Sequence, residues 1–203
     1  QLLALMKYKD LGFDKEQVVN VKLYGPLRET SFADADAFKN EFLRNPDILS
    51  VGRVGRLIGD RLSVESVVPE RKDAEQDDIP DVRVVRVDEG YLEAMKIRVV
   101  EGRNFSREFN DSVAYIINES AAKTLGLPAP LNEVLISHSR GNRKGKIVGV
   151  VEDYHFASLH AEIEPLVIEY EPGWTDYLVV RIRAGKTQET VKYIRETFTK
   201  LSP

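Results

Sequence analysis

Short β-branched runs recur along almost the whole chain, each closed by glycine, proline or a cluster of charge, and this punctuation leaves few folds open. VVNVKL at 18–23 sets Val19, Val21 and Leu23 on one face of an extended segment with polar residues between them, the pattern of a half-buried strand. ILSVGRV, LSVESVV, VRVVRV, VAYIIN, PLVIEY and YLVVRIRA repeat that style, and shorter strands are expected at 134–136 and 147–151. A chain divided in this way must fold around sheet, with helices confined to the intervals between runs.

Four intervals carry helical signals. Ala35, Phe38 and Phe42 have helical spacing after a capping Ser31 or Asp34, and Asn45-Pro46 stops that helix. A short helix is expected over 89–95, another over ESAAKTLG ending at Gly126, and an amphipathic one over 186–201 with Val191, Ile194 and Phe198 on one face. At the N-terminus, Leu2, Leu3, Leu5 and Met6 of QLLALMKYKDLGF read as the tail of a helix begun upstream, so an excised domain and a helix over residues 1–9 are expected. PERKDAEQDDIPD is charged, bounded by prolines and expected to be an exposed loop, while SRGNRKGK reads as a basic hairpin tip. Strand-helix-strand at the start and strand-strand-helix at the end predict one α/β sandwich built from both terminal segments, 1–58 and 163–203. Residues 59–162 then form an inserted, β-rich subdomain, and the class is α+β.

Composition removes several functions. The 203 residues are 42% hydrophobic and 31% charged, ordinary for a globular protein. Lys and Arg total 29 against 33 Asp and Glu, a net charge of -4, with both signs interspersed, so no basic face for nucleic acid is expected. No cysteine is present, which excludes disulfides and thiolate metal sites. No window reaches the roughly 18 apolar residues of a membrane span.

The stretch KIVGVVEDYHFASLHAEIEPLVIEY concentrates the candidate chemistry. Glu152, Asp153, His155, Ser158 and His160 lie close together, but the histidines are five apart on a segment with no clear period, and no G-x-S-x-G elbow accompanies the serine. The better reading is structural: Tyr154 and Phe156 anchor the chain as it leaves a strand, and Asp153 and Ser158 cap turns. Glu162 and Glu164 form a second carboxylate pair, but nothing apolar and closed surrounds them to raise one pKa. Gly141, Gly145 and Lys146 only loosely follow a phosphate loop, because Ile147 stands where a hydroxyl is needed and a strand follows instead of a helix. Gly52, Gly55 and Gly59 miss the dinucleotide spacing and are expected at strand bends. Trp174 and Tyr177 around EPGWTD could form a ligand platform, with an exposed turn as the commoner case. No catalytic, cofactor-binding or metal residue is therefore assigned.

KDLGFDKEQVV, FKNEFLRNPDILSV, EGRNFS, IINESAAKTLG and GKIVGVVEDYHFASLHAEIEPLVI, in that order, resemble the MacB-like periplasmic core domain of FtsX-like ABC transporter permeases. The resemblance runs from Leu2 to about Thr199 and looks most like the second such domain of the large Bacteroidetes permeases. Two departures stand out: Asp153-Tyr154-His155 replaces Asp-Phe-His, and Pro130-Leu131-Asn132-Glu133 replaces a Pro-Ile-Gly-Lys-like turn. The resemblance implies a porter-like α/β subdomain with an inserted β-rich one, set between transmembrane helices on the periplasmic face of the inner membrane. It implies no catalysis and no cofactor. Partners would be a cytoplasmic ABC ATPase subunit, a second permease chain or duplicated periplasmic domain, and adaptor or outer-membrane proteins, with no nucleic acid. The opening stretch would then be the corner where the inserted subdomain rejoins the terminal one. Phe13, Phe38, Phe42, Tyr154, Phe156 and Phe198 would hold the termini in register so that motion is transmitted. The rival reading is a ligand-binding sensor domain with a cleft for a peptide or lipid between its subdomains.

Overall fold

A computed structural model of the chain describes residues 7–9, 17–23, 32–57, 60, 62–70, 80–109, 111–154 and 163–201. The strands are β1 (Lys7–Lys9), β2 (Gln17–Lys22), β3 (Ile48–Val54), β4 (Ser63–Pro69), β5 (Asp81–Val87), β6 (Val99–Gly102), β7 (Ala114–Asn118), β8 (Val134–Ser137), β9 (Arg143–Val151), β10 (Leu166–Tyr170) and β11 (Tyr177–Ile182). The helices are α1 (Phe32–Phe42), α2 (Tyr91–Met95), α3 (Glu119–Thr124) and α4 (Thr187–Leu201). They fall into two compact units, Gln1–Gly55 with Gly90–Lys96 and Pro172–Pro203, and Arg56–Glu89 with Ile97–Glu171.

In the first unit β1, β2, β11 and β3 form an antiparallel sheet in that order. Val19, Val21, Leu178, Val180 and Ile182 share one face and meet Phe38 and Phe42 of α1 and Val191, Ile194 and Phe198 of α4 in a single apolar core. Phe38 is the centre of that contact, with ring centroids 6.2 Å from Phe42 and 5.2 Å from Phe198. The opposite face receives α2: Arg181 Nε donates to the Ala94 carbonyl at 2.7 Å, and a Cβ placed on Gly52 would stand 2.5 Å from the Tyr91 Cα. Covered on both faces, β3 and β11 are buried almost throughout, Arg53 and Arg181 included. The expected helix over the opening residues is corrected at Lys7–Lys9, which form β1 and pair with β2 through Tyr8 and Val19. The lysine-aromatic-lysine alternation there has the period of a strand, and lysines suit an edge. Leu2, Leu3, Leu5, Met6 and Phe13 lie outside the described residues.

The second unit is a closed ladder. β5, β10, β7, β9, β8 and β4 pair in that order, and the set closes on itself through β4, which pairs with β8 over residues 67–69 and back onto β5 over residues 63–66. β6 lies against the second half of β9, end to end with β8. Val67, Val82, Val84, Tyr115, Ile117, Leu135, Ile147 and Val167 fill one core with Ala121 of α3 and Leu125, which caps that helix. Farther along the same strand faces the core gives way to charge. Arg86 lies within 2.6 Å of Glu65 and 3.1 Å of Glu169, and Arg140 clasps Glu171 and approaches Glu169. Burial raises the Glu169 carboxyl above its usual range, against the pull of Arg86 and with help from Glu65.

β10 belongs to this second unit, whereas residues 163–203 were expected to lie together with the N-terminal segment. Four of its five residues are buried, so it needs a strand on each side, and it finds them in β5 (parallel) and β7 (antiparallel). The stretch from Lys146 to Tyr170 therefore begins and ends in one unit.

Candidate functional site: a groove beside the EGRNFS loop

Three of the carboxylates singled out in the sequence, Glu152, Asp153 and Glu164, are held in structural contacts. Asp153 accepts from the Ser120 backbone N–H at 2.9 Å and from its hydroxyl at 2.7 Å, which ties the first turn of α3 to the end of β9. Glu152 pairs with Arg98 at 3.0 Å and Glu164 with Arg83. Asn118 completes the corner: its Oδ1 accepts from Ala121 N and Leu166 N, and its Nδ2 donates to the Glu164 carbonyl. Tyr154 is half-buried, while His155, Phe156, Ser158, His160 and Glu162 lie outside the described residues. Among the described residues no three His, Asp or Glu side chains are grouped as a metal site would require.

The other sequence candidates are dispersed. Gly141 ends a 3-10 turn in the left-handed region, and Gly145 and Lys146 lie within β9, so they present no phosphate cradle. The hairpin expected around them is present as β8 and β9, but its loop is shorter than the basic tip. Arg143 and Lys144 are already paired with Ser137 and Ile136, and Arg140 and Arg143 turn to Glu171. Gly52 and Gly55 are in and after β3, and Gly59 lies outside the described residues. Trp174 falls in a 3-10 turn and Tyr177 opens β11, where the Lys22 ammonium lies 5.8 Å from its ring centroid.

A concave feature of the second unit lies elsewhere. An open groove of about 540 Å³ is lined by the loop after β6 (Arg103, Phe109, Asp111, Val113), by Val134 of β8 and by Lys144, Lys146 and Val148 of β9, with Glu70 at its end. The loop can lie so close to β9 because glycine is the residue beneath it. A Cβ on Gly145 would stand 2.0 Å from the Val113 carbonyl oxygen, and one on Gly149 2.3 Å from that of Arg103. Arg103 fixes the loop by donating twice to Asp111, at 2.7 and 2.9 Å, and Ser106 N adds a third bond to the same carboxylate at 2.9 Å. Asn104 anchors it to the Glu89 carbonyl at 2.9 Å. The guanidinium also stacks 4.1 Å from the Phe109 ring centroid, leaving that ring 52% exposed beside an exposed Val113. Burial works against the Asp111 charge, yet the bonds from Arg103 and Ser106 and the positive charge of Arg103 outweigh it and hold the carboxyl below its usual range. The Arg103 guanidinium is raised by its bond to Asp111.

Sequence reasoning noticed EGRNFS as a motif but not this groove. Arg103 and Asp111 are eight apart in a loop without period, and Lys144 and Lys146 come from another element, so only the fold brings them together.

A match to known families decides what kind of protein this is: the model of the MacB-like periplasmic core domain covers residues 9–196. The chain belongs to that family. This MacB-like domain is similar in structure to the periplasmic region of MacB from Actinobacillus actinomycetemcomitans, at 14% identity over 92% of this chain and 84% of that one, with a TM-score of 0.59. It is similar also to the extracellular domain of the noncanonic ABC-type transporter YknZ from Gram-positive bacteria, at 16% identity over 85% and 84%, with a TM-score of 0.55. A domain of a protein described as a permease from Porphyromonas gingivalis matches at 17% identity over 77% and 72%, with a TM-score of 0.53. No curated protein sequence matches the chain. At these identities the structural likeness shows the fold, and it bears out the α+β class. Membership makes the chain a periplasmic domain of an ABC transporter permease, a class of protein that works with an ATPase. No helix among the described residues is long and apolar enough to cross a membrane.

Proposed function

We propose that this MacB-like domain is a non-catalytic mechanical element that moves as a rigid body when a cytoplasmic ATPase subunit hydrolyses ATP. It acts against a second permease chain or a duplicated periplasmic domain, and adaptor or outer-membrane proteins receive the motion. The first unit takes the porter-like part built from the terminal segments, and the domain is the second of its kind in its permease. One observation carries the reading. β2 and β11, drawn from opposite ends of the chain, are hydrogen-bonded neighbours from Gln17 opposite Ile182 to Lys22 opposite Tyr177. Motion entering through either terminal segment therefore reaches one ladder, which Phe38, Phe42 and Phe198 pack from one side.

The test uses the whole transporter, its ATPase included, with spin labels at the exposed positions Arg44 and Lys192, both in the first unit. These 203 residues contribute no cysteine of their own, and any cysteine elsewhere in the transporter is replaced before labelling. Between nucleotide-free and ATP-trapped states, labels on Lys192→Cys of the two periplasmic domains are expected to change their separation. The Arg44→Cys to Lys192→Cys distance within one domain stays constant. A fixed separation between domains, or a change within one, overturns rigid-body transmission.

A further inference from the structure

We propose that the groove beside the EGRNFS loop binds a single detached amphiphile, one acyl-type chain with a carboxylate or phosphate head. Its volume of about 540 Å³ falls inside the range of about 300–1,000 Å³ usual for small-molecule sites. Phe109 and Val113, 52% and 44% exposed, and the half-buried Val134 and Val148 offer an apolar wall open to solvent. The charges around that wall select the head. Both carboxylates of the lining are already engaged, Asp111 by Arg103 and Glu70 by Lys144 at 2.7 Å. Lys146 is exposed and has no carboxylate partner among the described residues. Among the described residues the groove thus presents one cation without a carboxylate partner, Lys146, and no carboxylate without a cationic one, beside a largely apolar surface.

The same bookkeeping separates this ligand from its competitors. A peptide would bring a row of backbone N–H and C=O groups to a wall that has few partners for them, and each would lose its water uncompensated. A bilayer surface wants a protruding patch with several unpaired basic groups, whereas this feature is concave and shows one among the described residues. The chain's own residues 71–79, which follow Glu70, carry only Ala74 and Ile79 as apolar residues and suit the wall poorly.

Calorimetric titration of the 203-residue chain with sodium decanoate below its micelle concentration tests the proposal, and it is independent of the mechanical reading because no ATPase is present. Saturable binding at one site is expected, weakened about tenfold in Lys146→Gln through loss of the charge-assisted contact. It is expected to be lost in Val113→Asp. Both substitutions fall on exposed side chains, and circular dichroism melting confirms that the variants fold. Decyl glucoside, with the same chain and no charge, should bind more weakly than decanoate. Equal binding by both variants, or by the glucoside, overturns the assignment. Sedimentation of the chain with phosphatidylglycerol vesicles in place of decanoate binding overturns the choice of a detached ligand.

Discussion

Asp111 and Glu169 are two buried carboxylates whose surroundings push them in opposite directions, and the consequence can be measured. Asp111 is 3% exposed and holds three charge-assisted bonds. Its folded pKa lies below the unfolded value near 3.8, so the stability it contributes is complete above 3.8 and is lost as pH falls through the lower folded value. Asp111→Asn is therefore expected to be less stable than the parent at neutral pH by about 1–3 kcal/mol, with Arg103 partly open to solvent and so only partly penalised. Urea denaturation should show that gap closing as pH drops below 3.8. Glu169 runs the other way. Its folded pKa is raised above 4.5, so its contribution is greatest below 4.5 and declines as pH rises through the folded value. Relative to the parent, Glu169→Gln should gain stability with rising pH over that interval. A parallel pair of curves would mean that Arg86 and Arg140 compensate the buried charge fully. Neither residue could be singled out from the sequence: Asp111 sits in a loop and Glu169 occupies a strand position that reads as solvent-facing until β10 is placed between two neighbours.

At the scale of elements, most strands and all four helices were legible, because each carries its own period. ILSVGRV coincides with β3, and the expected helices at 89–95 and 186–201 are α2 and α4 to within two residues. β6 was not foreseen, since EGRNFS reads as loop and its strand is short and mostly exposed, paired among the described residues with β9 alone. The glycines show what periodicity cannot report. Gly52 reads as a strand bend, but its requirement is contact with α2, whose Tyr91 backbone leaves no room for a methyl group. Gly52→Ala is expected to cost about 3 kcal/mol or more, as overpacking against backbone does. Gly126→Ala makes a sharp comparison, because that site has a φ of +67° and no atom within 4 Å of a Cβ. Its cost should stay near 1–2 kcal/mol, the strain of a left-handed residue alone. Equal losses in urea denaturation would show that α2 moves aside and that its approach to β3 is not tight.

For the whole molecule, each unit has an apolar core of its own among the described residues, and Phe198 tests that of the first. Phe198→Ala removes the ring that meets Phe38 and leaves a cavity between α4 and α1, at a cost of about 3–5 kcal/mol. Hydrogen exchange is expected to accelerate in β2, β3 and β11 while β5, β7 and β10 keep their protection; uniform acceleration would show that the molecule opens as one cooperative body. By itself the sequence determined the α+β class, nearly every element and, through five ordered motifs, the family. These are local properties, written in spacing, capping and turn residues that neighbours in the chain can satisfy. Only the tertiary structure decided that β10 joins the second unit, that β4 closes the ladder on β5, and that Arg103, Phe109, Asp111, Val113 and Lys146 surround one groove. Those outcomes depend on which distant strand satisfies a buried backbone edge and on where glycine lets two chains touch, and neither has a period that a linear reading can detect.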